Sequence, residues 1–181
     1  RFHAWLDAGE GSCVLKQQNV ASIVADALRH FDGERYTLGH FVVMPNHVHV
    51  IVKPLGDHVL SDITHSWKSF SAHKINELLK REGRLWQPES FDYLIRTEAQ
   101  LEKFSAYIRE NPGKAKLSPG TFQSGAGSSV KVAQASGLPG GKKQMAAGET
   151  PALQRAAGTA ALHYFVRRVG AESAAQLQVG T

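Results

Sequence analysis

The sequence predicts an α+β fold: one antiparallel sheet with helices packed on it, in a ferredoxin-like or RRM-like (split βαβ) plan. Three observations carry this. Residues 1–117 read as helix, two adjacent strands, helix, strand, helix. The strand segments are rich in β-branched and aromatic residues and alternate, while the helical ones repeat at i, i+3, i+4. Hydrophobic residues make up 42% of the 181 and charged ones 20%, enough apolar content for one core. A split βαβ plan needs one more strand before the first helix. Cys13 to Leu15 is too short to supply it, so the predicted sheet lacks its first strand.

Each element follows from local chemistry. Phe2 to Leu6 is amphipathic, and Asp7 to Ser12 is a loop. Asn19 is placed to cap a helix that runs to about Phe31, with Val20, Ile23, Val24, Ala27 and Leu28 at helical spacing; Asp32 and Gly33 end it. Tyr36 to Met44 is a strand, Pro45 and Asn46 make a turn, and His47 to Lys53 is the next strand. Leu60 to about Lys80 is a long helix broken by Gly83, with Trp67 and Phe70 assigned to the core. Phe91 to Ile95 is a short strand. Thr97 caps the last helix, which runs to about Glu110 and is stopped by Asn111, Pro112 and Gly113.

Composition changes near Leu117. Residues 1–117 hold 15 Lys and Arg against 14 Asp and Glu, whereas residues 118–181 hold 6 against 2 and 10 of the 17 glycines. Residues 1–117 are therefore expected to be the folded domain. Residues 118–181 are expected to be a low-complexity, largely disordered tail, with 118–160 as linker and Ala160 to Val169 as a short helix or strand. The net charge of +5 hints at a nucleic-acid partner, but most of the excess lies in the tail. A single cysteine, Cys13, excludes a disulfide scaffold and a cysteine-based zinc site. No apolar run approaches the ~20 residues of a membrane span, and no charged-then-apolar signal opens the chain, so the expected location is the cytoplasm. The chain begins at Arg1, which fits a frame truncated at its start.

Two places carry chemistry. His47 and His49 alternate on a strand and so share one face, a spacing that suits two ligands on one metal. The competing reading is two histidines satisfied by hydrogen-bond partners. On the last helix Leu101, Phe104, Ser105 and Ile108 form the predicted buried stripe. Tyr107 lies about 110° from its centre, on a polar face shared with Gln100, Lys103 and Asn111. Tyr107 and Asn111 are i and i+4, hence neighbours. By periodicity alone Tyr107 reads as an edge tyrosine covering the core margin.

The segment Phe41 to Val52 (FVVMPNHVHVIV) resembles the HxH segment of single-tyrosine HUH transposases. Ser66 to Phe70, Leu85 to Gln87, Phe91 to Arg96 and Tyr107 to Pro112 (YIRENP) follow in the order of the REP-associated tyrosine transposases, so the resemblance covers residues 1–117 and none of the tail. It implies a mobile-element enzyme that cuts and rejoins single-stranded DNA at hairpin-associated sites through a 5′-phosphotyrosine link. His47 and His49 would bind Mg²⁺ or Mn²⁺, Asn111 would add an oxygen ligand, and Tyr107 would be the nucleophile. The family fold places a strand before the first helix, next to the HxH strand; without it that strand keeps an open edge. Lys68, Lys74, Arg81, Arg84, Lys103 and Arg109 would contact DNA phosphates, the plain alternative being solvated helix faces. The expected partner is single-stranded DNA or a DNA hairpin, with no membrane, and the chain acting as monomer or homodimer.

Two other readings stay in view. A truncated copy would be a hairpin-binding remnant without cleavage. Histidine-triad nucleotide hydrolases also use alternating histidines on a strand, but they need a third, and that position is Ile51. The remaining tyrosines are weaker nucleophile candidates: Tyr93 sits in an alternating strand, Tyr36 precedes a strand without a polar i+4 partner, and Tyr164 is in the tail.

Overall fold

The computed structural model describes residues 12–128 and 162–169. The expectations for Phe2 to Leu6, for the loop up to residue 11, and for residues 129–161 and 170–181 fall outside these. A 3-10 turn at Val14–Lys16 leads into helix α1 (Gln18–Arg29). Leu15 is fully buried, and its N–H donates to the Pro45 carbonyl at 3.1 Å, tying the turn to the sheet. Asn19 does not cap α1. Gln17 holds the N-cap position, and Asn19 lies inside the first turn, its Oδ1 accepting from the Val20 N–H at 3.0 Å.

Strands β1 (Tyr36–Val43) and β2 (His47–Pro54) form an antiparallel hairpin, closed by the Met44 N–H donating to the His47 carbonyl at 2.8 Å. Leu38 pairs with Val52 but Phe41 pairs with Val50, so β1 carries one extra residue there, a bulge at Gly39 and His40. The bulge lets Leu38 and Phe41 face the same core although they are three apart. Gly39 is needed at this point because a Cβ there would stand 2.9 Å from both Cβ and Cγ2 of Ile51. Gly39→Ala is expected to cost about 1–3 kcal/mol through forced strand separation, read as a lower urea midpoint; an unchanged midpoint would refute the close approach.

Helix α2 (Leu60–Leu79) buries Leu60, Ile63, Thr64, Trp67, Ser71 and Ile75 and stops at Lys80, which adopts a left-handed conformation at φ 50°. Phe70 is not core: it is 50% exposed, because it lies about 90° round the helix from that stripe. Strand β3 begins at Trp86 rather than Phe91 and runs to Ile95. Helix α3 (Glu98–Lys114) is capped as expected, Thr97 Oγ1 accepting from the Gln100 N–H at 3.2 Å. It does not stop at Glu110. Pro112 lies within the helix, and the turn continues because the Ala115 N–H reaches the Asn111 carbonyl at 2.9 Å. Asn111 is thereby held at a helical position.

The described segments beyond Leu117 do not stay out of the domain. Strand β4 (Gln123–Ala126) pairs antiparallel with β1, and strand β5 (Leu162–Val169) pairs antiparallel with both β2 and β3. The sheet order is β3-β5-β2-β1-β4. Glycine in β4, read from composition as a linker signal, serves packing: a Cβ on Gly125 would meet the Phe41 ring at 2.7 Å. Asp32 anchors the end of this segment by accepting from the Ser128 N–H at 2.9 Å and hydroxyl at 2.7 Å. No strand precedes α1 among the described residues. The side of β2 that this would leave open is filled from the other end of the chain, over the register His47↔Arg168 to Val52↔His163. A strand buried on both faces needs a partner for its backbone donors and acceptors, and loop closure over a long connection costs little more than over a short one.

Two cores result. On one face α1 and α2 pack on Val48, Val50, Val52 and Phe165. On the other, α3 packs on Val42, Ile51 and Tyr164, with Tyr107 at the margin. No described helix is long and apolar enough to cross a membrane.

Candidate nuclease site

The site is built where β2 starts and α3 ends. Alternation along β2 sends Val48 and Val50 to the α1/α2 core and leaves His47 and His49 on the face under α3. That face is not exposed: His47 is 1% and His49 0% accessible. Buried imidazoles need partners, and each Nδ1 has one. His47 Nδ1 lies 2.7 Å from Asn46 Oδ1, and His49 Nδ1 lies 2.5 Å from Tyr164 Oη. These contacts turn both Nε2 atoms toward one point, 2.8 Å from each other, with the rings nearly perpendicular at 86°.

Helix α3 completes the cluster. Asn111, fully inside because the helix runs through Pro112, places Nδ2 3.3 Å from His49 Nε2. One turn earlier, the Tyr107 ring stands edge-on to His49, centroids 5.4 Å apart, with its hydroxyl buried. The supposed polar face of α3 therefore turns inward. Lys114 Nζ lies 5.7 Å from the Tyr107 ring centroid and is held by Glu110 at 2.8 Å; that bond lowers the Glu110 pKa from its ordinary value.

The donor set fits a small divalent cation. Two imidazole nitrogens and one amide gather within hydrogen-bond distance of one another, a thiolate-free N/O set of the kind that ligates divalent cations. Asn111 Oδ1 is buried without a hydrogen-bond partner, and a half-turn of the amide puts this oxygen where Nδ2 now faces His49. The site contains two residues, both histidines, of the types that usually cluster on metals, and among the described residues no three His, Cys, Asp or Glu side chains gather. The third polar group in the cluster is the Asn111 amide.

The six basic residues do not gather on one surface. Lys103 and Arg109 are on α3, on the histidine side, whereas Lys68 and Lys74 are on α2, and Arg81 and Arg84 follow it, on the other side of the sheet. Lys68 borders an apolar cavity with Trp67, Trp86 and Phe165. Lys74 pairs with Glu77 at 3.1 Å, and Arg109 pairs with Glu102 at 2.9 Å and approaches His40 Nε2 at 3.2 Å. Burial, then the Arg109 guanidinium, lowers the His40 pKa.

Two further residues belong to the site. Asn46 directly precedes His47, and that adjacency was a usable signal. Tyr164 gave none, because it meets His49 across a separation of 115 residues. Of the rival tyrosines, Tyr36 is fixed in the core, donating to the Leu28 carbonyl at 2.9 Å and accepting from Trp67 Nε1 at 2.9 Å; burial raises its pKa. Tyr93 accepts from Gln100 Nε2 at 3.1 Å and packs on Phe104.

A family model described as "Transposase IS200 like" matches residues 14–111. That span includes both histidines, Tyr107 and Asn111, and excludes β4 and β5. No curated protein and no solved structure matches the chain.

Proposed function

The chain belongs to the family of IS200-like transposases, and from that premise we propose that it cuts and rejoins single-stranded DNA at hairpin-associated sites, with Tyr107 as nucleophile. The observation that supports this most is the placement of Tyr107 beside His49 with Asn111 one turn further along the same helix.

In the proposed step Tyr107 Oη attacks a backbone phosphorus and the phenolic proton leaves. The Oη–P bond forms, the P–O3′ bond breaks, and O3′ takes up a proton as a free 3′-hydroxyl. The strand downstream of the cut is then linked to Tyr107 through its 5′-phosphate. The link conserves the phosphodiester for rejoining, so no nucleotide cofactor is needed. A phenol, with an ordinary pKa of about 10, is a weak nucleophile at neutral pH and depends on being held in place. α3 holds it by packing its ring against His49. Mg²⁺ or Mn²⁺ bound by His47, His49 and Asn111 would supply positive charge against the non-bridging phosphate oxygens. Lys103 and Arg109 share α3 with Tyr107 and are the basic side chains nearest to the cut strand in this reading. Lys68, Lys74, Arg81 and Arg84 are left for flanking DNA on the far side of the sheet.

The test is a covalent adduct. The full chain, incubated with single-stranded oligonucleotides carrying a hairpin, is expected to give an SDS-resistant protein–DNA band with Mn²⁺ and none after EDTA. Duplex without single-stranded flanks gives no band. The burial of the Tyr107 hydroxyl favours a second reading, a hairpin-binding remnant. Binding without adduct across a hairpin library would establish that reading and overturn the first.

A further inference from the structure

We propose that strand β5, outside the matched segment, is part of the ion-binding machinery, with Tyr164 as the positioning residue that fixes His49 as a ligand. This rests on the metal reading of the site.

The register explains how a distant residue reaches the site. Tyr164 pairs with Ile51 on β2 and Val166 with His49, so Tyr164 is the diagonal neighbour of His49 on the α3 face. Diagonal neighbours are within reach for aromatic side chains. The Tyr164 ring is fully buried. It lies nearly parallel to the His49 ring, at 11° with centroids 5.8 Å apart. Phe104 stacks on it at 4.4 Å and Phe91 meets it edge-on at 6.4 Å. The phenol is therefore held in place from α3 and β3, and its hydroxyl is delivered to His49 Nδ1 at 2.5 Å.

The chemistry of that contact concerns the tautomer. A neutral imidazole carries one N–H, and to bind an ion through Nε2 the proton must sit on Nδ1. A phenol oxygen accepts a hydrogen bond from Nδ1–H and so stabilises the ligand tautomer. The same hydroxyl, rotated, donates to a bare Nδ1 and lets Nε2–H point at His47 when no ion is bound. Tyr164 thus satisfies His49 in both states. At His47 the partner is Asn46 Oδ1, which only accepts, so that ring is kept with its proton on Nδ1. Outer partners of this kind usually change metal affinity about 10–100-fold when removed.

The test uses the full chain and two readouts. Mn²⁺ binding followed by EPR is expected to weaken about 10–100-fold in Tyr164→Phe, which keeps the stacked ring. Tyr93→Phe, whose hydroxyl faces Gln100, leaves it unchanged. In the metal-free chain, imidazole ¹⁵N NMR is expected to show the His49 nitrogens shifting in Tyr164→Phe while those of His47 stay put. The unaltered chain is expected to show a slowly exchanging Tyr164 hydroxyl proton with a cross-peak to the His49 ring, which needs no variant to fold. Equal Mn²⁺ affinity in the unaltered chain and Tyr164→Phe, or His49 nitrogens that do not move, overturns this inference alone. No Mn²⁺ binding by the unaltered chain overturns the metal reading beneath it.

Discussion

Tyr107→Phe is expected to reduce covalent adduct with a cleavable hairpin by at least about 10³-fold while hairpin binding persists, the pattern of a lost nucleophile. The substitution deletes one oxygen and keeps the ring beside His49, so the site's packing changes little. The prediction discriminates among four tyrosines. Tyr36 and Tyr93 have their hydroxyls occupied by Leu28 and Trp67 and by Gln100. Tyr164 is the real rival, since it touches a histidine more closely than Tyr107 does. It touches the wrong nitrogen: Tyr164 Oη meets Nδ1, whereas the converging donors His47 and Asn111 gather at Nε2. A phosphate at the Nε2 side is screened from Tyr164 by the His49 ring. Adduct retained in Tyr107→Phe and lost in Tyr164→Phe would exchange the two roles. Mass spectrometry of the DNA-linked peptide reads the attachment site directly.

What could be read from the sequence was what local chemistry dictates. The β1–β2 hairpin follows from β-branched text on either side of Pro45 and Asn46. The pairing of His47 with His49 follows from the period of two, and the start of α3 follows from Thr97. Misreadings arose where a local rule met a tertiary contact. Pro112 reads as a helix stop, yet it lies inside α3, and that is what carries Asn111 inward to His49. Gly125 reads as linker, yet it is glycine because Phe41 occupies the space of a side chain. The burial of the histidine face is not legible locally, because the residues that cover it come from α3 and β5. No local pattern reports a contact between Tyr164 and His49, because pairing partners so far apart are chosen by the sheet edge they complete.

Ending the chain at Ser128 is expected to abolish cooperative folding, although everything matched by the family model is retained. β5 is not an edge strand. It is hydrogen-bonded to β2 on one side and β3 on the other, so its removal leaves two unpaired strand edges facing a gap in the sheet. The loss reaches both cores. Phe165 is buried among Trp67, Trp86, Val48 and Val50, and Tyr164 is buried under α3. Phe165→Ala alone is expected to cost about 3–5 kcal/mol, as large-to-small changes of core aromatics do. That is comparable to the whole stability of a marginal domain of about 5–15 kcal/mol. The truncated chain should therefore lose near-UV circular dichroism and a sharp thermal transition, and should associate through its open edges. Phe165→Ala in the full chain should keep the transition at a lower midpoint. A synthetic peptide spanning β5, added to the truncated chain, is expected to restore near-UV signal by pairing with β2 and β3. A Ser128-terminated chain that melts cooperatively at the full chain's midpoint would show that the domain folds without β5.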